Sequence, residues 1–174
     1  MIKKIFVVAV LFVLCGAFIS CGSKKSDETT AYGESKIAWN EFDTATQTAQ
    51  LQDKKLFIYF HTDWCSWCKK METETFANDT VAEYLNNNFI AVTIDAESEK
   101  QVTYNGRNMS QQELASTFGV QGFPSHVFLN QAGEPITLTP GFMPADRFLN
   151  VLSYIADDHY QTMEWEEFME SISS

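Results

Sequence analysis

The chain has 174 residues, 45% of them apolar and 14% aromatic, with a formal net charge of −11 at pH 7. That length suits one ordinary domain. The acidic balance argues against nucleic acid, which needs a basic face, and against electrostatic attachment to anionic lipid.

The chain opens MIKKIFVVAVLFVLCGAFISCGS. Lys3 and Lys4 make a positive leader, Ile5 to Ile19 an apolar run, and small residues follow, which is the layout of an export signal. The run is short of the roughly 20 apolar residues a membrane-spanning helix needs; a retained signal anchor is the alternative. FISC, residues 18–21, resembles the lipobox of bacterial lipoprotein signals, in which the cysteine after a small residue is acylated and becomes N-terminal. The resemblance makes Cys21 the expected lipidation site, with Phe18 standing where leucine is usual; Cys15, after bulky Leu14, is the poorer match. The expected organisation is a signal peptide over 1–20, a lipidated polar tether over 21–35 and one folded domain over 36–174.

In that domain Trp39, Phe42, Ala45 and Ala49 recur at helical spacing and predict a first helix. LFIYF, 56–60, is an unbroken apolar run of the kind a central strand buried on both faces requires. Residues 65 to about 76 look helical, with Met71 and Phe76 inward. Asn78, Asp79 or Thr80 can cap a further helix carrying Val81, Tyr84 and Leu85. FIAVTIDA, 89–96, is the next strand. Asn105-Gly106 marks either a type I′ hairpin or a plain loop. Ser110 and Glu113 have capping-box spacing ahead of the Leu114/Phe118 pair, and Gly119 suits the helix end. HVFLN, 126–130, and PITL, 135–138, read as antiparallel strands about a turn at Gly133. A helix starting with Pro144 in its first turn carries Phe148, Leu149, Leu152 and Ile155, and a last helix carries Trp165, Phe168 and Met169. Early alternation of strand and helix with a late hairpin predicts an α/β fold, a mixed central sheet with helices on both faces and an extra C-terminal helix.

Four cysteines stand in the chain: Cys15, Cys21, Cys65 and Cys68. Cleavage would discard Cys15 and acylation would occupy Cys21, leaving only the pair in DWCSWCKKM, 63–71. A strand running into Cys-x-x-Cys and then a helix places Cys65 at the helix N-terminus, exposed, and Cys68 one turn further in, shielded. Unsatisfied N–H groups and the macrodipole favour a thiolate at Cys65. Cys65 can then attack a disulfide and Cys68 resolve the mixed disulfide. A metal site is one rival, but it wants four Cys or His ligands, and His61, His126 and His159 lie in unrelated contexts. A structural disulfide is another, though so short a loop constrains little chain entropy.

The stretch from about Trp39 to Phe168 resembles the thioredoxin family. DWCSWCKKM corresponds to its active-site motif and GFPSHVFLN to its second signature. The segment from VTYNGRNM through the terminal EWEEFM looks like periplasmic thioredoxin-like proteins of sulfur-oxidation and thiol-disulfide exchange systems. The resemblance implies a cis Phe123-Pro124 bond facing the cysteines, with Phe123 and Pro124 framing a substrate groove. Together with the lipobox-like stretch at Cys21, it implies a lipid-anchored thiol-disulfide oxidoreductase on the periplasmic side of the bacterial cell envelope. Such an enzyme needs no bound cofactor and no metal. It works on protein or peptide disulfides, more as reductant than oxidant, and an envelope redox partner resets it. The alternative is a non-catalytic thioredoxin-fold lipoprotein that binds a partner or assists folding.

Two departures stand out. Ser66 and Trp67 separate the cysteines, and Tyr59 and Ala91 occupy the places where the family keeps a buried aspartate and its lysine. Losing both together is coherent, because either alone would be a costly buried charge. Asp63, His61 and solvent are the candidate replacements as proton acceptor for Cys68. Lys69 can aid the thiolate or simply be solvated. Trp64 is expected beside the site, and Trp67 either to dock substrate or to pack on Phe123.

Overall fold

The computed structural model describes residues 35–173. Its elements run β1 (Trp39–Asn40), α1 (Phe42–Gln52), β2 (Lys55–His61), α2 (Ser66–Lys70) continuing into a π-helical turn (Met71–Phe76), and α3 (Asp79–Asn88). There follow β3 (Phe89–Asp95), β4 (Gln101–Tyr104), β5 (Arg107–Ser110), α4 (Gln111–Thr117), β6 (Ser125–Leu129), β7 (Pro135–Pro140), α5 (Ala145–Ala156) and α6 (Trp165–Ile172). The N-terminal signal, the tether to residue 34 and Cys21 lie outside the described residues.

β2 is central because its apolar run Leu56–Phe60 must be covered on both faces; no residue of the strand is more than 7% exposed. It pairs parallel with β3 and antiparallel with β6 in a sheet of order β1-β3-β2-β6-β7. Period-two alternation splits its side chains between two cores. Phe57 and Tyr59 face Met71, Phe76, Leu85, Phe148 and Leu152. Leu56, Ile58 and Phe60 face Phe42, Ala45, Val102 and Leu114. Each of these large side chains contributes about 1.5–3 kcal/mol on burial, so helices are held against both faces, as the strand pattern requires. The α/β expectation of a mixed sheet covered on both faces is borne out.

Local signals act as read at most positions. Asn78 caps α3, its side chain accepting from Thr80 N and Val81 N. Asn105 and Gly106 take φ of 51° and 73°, the left-handed pair a type I′ hairpin needs, and β4 and β5 pair across them. Ser110 and Glu113 form the reciprocal capping box. At the end of α4, Gly119 (φ 76°) lets Val120 N reach Ala115 O and Gly119 N reach Ser116 O, a Schellman closure.

Two expectations are corrected. Trp39 is not on the first helix. The backbone is extended at Glu41 (φ −70°, ψ 141°), so α1 starts at Phe42. Trp39 instead pairs in β1 opposite Ala91 of β3. Its ring packs 6.0 Å from Tyr59 and 5.5 Å from Phe76, centroid to centroid, because Ala91 leaves room above the sheet. Pro144 is not in the first turn of α5 but caps it in extended conformation, its carbonyl accepting from Phe148 N. The C-terminal α6 buries Phe168 against Tyr154 of α5, with ring centroids 5.2 Å apart.

Candidate active site

β2 and β3 end, β6 begins and β7 ends at one edge of the sheet, since β2 and β3 are parallel and β6 and β7 run antiparallel in turn. The cysteine pair sits on this edge. Cys65 is the N-cap of α2, with extended backbone (φ −74°, ψ 103°), and its Sγ accepts the Cys68 backbone N–H at 3.0 Å. The two are joined as a disulfide, with Cα atoms 5.2 Å apart. Cys68 is shielded at 1% exposure, as expected. Cys65 is not exposed: it stands at 4%. Its sulfur is turned inward because it is bonded to Cys68 and receives that turn's N–H.

The loop before β6 lies alongside. Phe123-Pro124 is cis, Pro124 O accepts from Gly141 N at 2.8 Å, and Ser125 Oγ donates to Gly122 O at 2.7 Å. Trp64, 66% exposed, meets Phe123 edge-on at 6.0 Å, and its Nε1–H donates to Glu97 Oε1 at 3.0 Å. Trp67, 55% exposed, lies on Phe142 at 5.8 Å rather than on Phe123. Trp64 stands in the turn before α2 and Trp67 in its first turn, so the two rings do not share a helix face, and Trp67 lies over the loop after β7 instead of the loop before β6. Lys69 is solvent-exposed. It is Lys70 whose ammonium lies over both rings, 5.2 Å from Trp67 and 4.6 Å from Phe142.

Tyr59 supplies what its sequence position left open. Its hydroxyl lies 3.2 Å from Cys68 O and 3.1 Å from Glu72 Oε1. Glu72 is the acidic group that sequence reasoning missed. Its spacing of four from Cys68 is the available signal, because residues i and i+4 share a helix face. Of the substitutes considered, Asp63 is exposed. His61 is buried with its ring stacked on Tyr59 at 5.4 Å. Burial lowers its pKa from the usual histidine value, against the opposing pull of Asp95 and Asp63. Across the strand pair, His126 is fully buried with Nδ1 3.0 Å from Thr139 O, and burial holds its pKa down at about 4. Among the described residues, no group of three or more His, Cys, Asp or Glu side chains is placed to hold a metal ion.

Residues 42–156 match the family described as the thioredoxin-like domain. The chain belongs to that family. Its relatives include the thiol:disulfide interchange protein DsbD of Yersinia pestis (strain Pestoides F), 34% identical over 106 residues, or 60% of this chain and 16% of that one. The chain thus spans about a sixth of the length of the curated relatives it matches. Among solved structures, a thioredoxin-fold protein from Helicobacter pylori is 27% identical with a TM-score of 0.59, covering 70% of this chain and 81% of that one. A thioredoxin from Thermus thermophilus is 28% identical with a TM-score of 0.57, covering 69% and 87%. The Cys65-x-x-Cys68 pair, in disulfide contact at a helix start, thus stands in a domain of the thioredoxin-like family.

Proposed function

We propose that this chain is a lipid-anchored thiol-disulfide oxidoreductase of the bacterial cell envelope that reduces protein or peptide disulfides. The observation that carries the chemistry is the Cys68 N–H aimed at Cys65 Sγ. In the reduced protein that donor, with the start of the helix, stabilises a Cys65 thiolate.

The thiolate attacks one sulfur of a substrate disulfide. A Cys65–substrate bond forms, the substrate S–S bond breaks, and the leaving sulfur departs with the electron pair and takes up a proton. Cys68 then loses its proton and attacks Cys65 Sγ. The Cys65–Cys68 disulfide forms, and the second substrate sulfur leaves as a thiolate and is protonated. Two electrons have passed to the substrate, whose two sulfurs take their protons from solvent, and the product is the disulfide found here. The Tyr59 hydroxyl, in contact with the Cys68 backbone carbonyl, also holds the Glu72 carboxylate one helical turn from Cys68, and the Cys68 proton reaches Glu72 by way of solvent. Trp64, Trp67, Phe123 and Pro124 form the surface that receives substrate. A dithiol partner of the envelope returns the two electrons. The export signal and the Cys21 lipobox support the location, and the family resemblance supports the reducing direction.

Turnover of insulin or a scrambled disulfide protein by the full chain, wild type against Cys65→Ser, tests this. Loss of turnover in the variant is expected. Equal activity would sink the enzyme and leave a binding module. A reduction potential near the reducing end of the family-wide span of about −270 to about −120 mV is expected; one near the oxidising end reverses the direction.

A further inference from the structure

The two exposed tryptophans beside the disulfide are held by charges of opposite sign. Trp64 donates its indole N–H to Glu97, a neutral donor that leaves the carboxylate its full negative charge. Asp63 and Asp95 lie close enough to act on His61 and strengthen that side. Trp67 lies with Phe142 beneath the Lys70 ammonium, and a cation over aromatic faces keeps its full positive charge. Glu74 approaches Lys70 only to 3.9 Å, with both side chains well exposed, a pairing that water and salt reduce to little.

Topology sets these walls apart. Glu97 follows β3 and Phe142 follows β7, and in the sheet β2 and β6 lie between them. β2 leads into Cys65 and β6 follows Pro124, so the redox pair sits between an acidic wall and a basic one. Three strand spacings of about 4.8 Å put the ends of β3 and β7 about 14 Å apart, the length of roughly four extended residues.

We propose that this polarised surface selects its substrate. It favours an extended polypeptide whose reactive cysteine is flanked, about two residues to either side, by a cationic side chain toward Trp64 and an anionic one toward Trp67. The inference rests on the disulfide-exchange reading above. In a chain of net charge −11, the cationic spot gives this surface a direction that uniform attraction of basic partners would not.

The test uses three pentapeptides, Lys-Gly-Cys-Gly-Glu, the reverse Glu-Gly-Cys-Gly-Lys and the neutral Gln-Gly-Cys-Gly-Gln, each as a mixed disulfide with thionitrobenzoate. Attack by Cys65 joins it to the peptide sulfur and expels coloured thionitrobenzoate, so the second-order rate constant is read by absorbance with reduced full chain. One charged order is expected to react roughly three- to tenfold faster than its reverse, with the gap closing at high salt. Glu97→Gln should narrow the gap, and Glu97→Lys combined with Lys70→Glu should invert it. Equal rates for both orders in the wild type, or the same preference after the double swap, would overturn the proposal. No reaction with the neutral peptide would instead sink the exchange reading on which it rests.

Discussion

The Tyr59 hydroxyl bridges Glu72 and Cys68, 3.1 Å from one carboxylate oxygen of the first and 3.2 Å from the backbone carbonyl of the second. A tyrosine at the floor of the site thus links a glutamate, one helical turn beyond the second cysteine, to the turn where that cysteine must ionise. Glu72→Gln is expected to slow release of the trapped substrate near neutral pH by about ten- to a hundredfold. Attack by Cys65 should be little changed. The deficit should shrink once the pH exceeds the ordinary thiol pKa of about 8.5, where solvent removes the proton unaided. Tyr59→Phe keeps the ring and should show part of the same deficit. Single-turnover rates across pH decide it; a Glu72→Gln profile superimposable on wild type would show that the carboxylate takes no proton.

Division of labour between the cysteines gives a second expectation. Cys68 is 1% exposed and Cys65 Sγ already faces it. Cys68→Ser should therefore still attack substrates but accumulate the mixed disulfide, seen as a reducible higher-mass band on non-reducing gels. Cys65→Ser should yield none. If Cys68→Ser gave no adduct while Cys65→Ser did, the roles would be exchanged.

Acid should weaken the fold through His126. Its pKa is about 4 when folded, lowered chiefly by burial, against about 6.5 unfolded. Above the unfolded value both states are neutral and the group is without effect. As pH falls below about 6.5 the unfolded chain binds a proton that the folded one refuses, and stability drops by about 1.4 kcal/mol per pH unit down to about 4. The total is roughly 3 kcal/mol. His61, also lowered by burial, adds in the same direction. Urea unfolding at a series of pH values should show His126→Phe losing this part of the slope. A slope identical to wild type would mean His126 titrates normally.

Lipidation at Cys21 is checked by labelled palmitate. Label should enter the full chain and disappear with Cys21→Ala. Incorporation that persists would move the anchor elsewhere.

Much of the fold was legible because its signals are local. The all-apolar run of β2, the Ser110–Glu113 box and the Asn105-Gly106 turn each act within a few residues, through backbone geometry that their own side chains bias. Trp39 misled for the same reason. Its spacing from Phe42 is helical, and only the Ala91 site on β3, far along the chain, draws it into a strand.

That a strand enters Cys65, that a helix leaves it and that Cys68 lies one turn inside were readable from the chain alone, because strand period, helix period and cysteine spacing are all short-range. The rest of the site comes together only in the folded chain. Folding set Glu72 against Tyr59, buried His126 beside them, and gave Trp64 to Glu97 and Trp67 to Phe142 and Lys70. Most of these contacts join segments that meet only when β3, β2, β6 and β7 align at one edge. No spacing along the chain encodes that alignment. It follows from which apolar faces must be buried together, and that is settled only when the whole sheet forms.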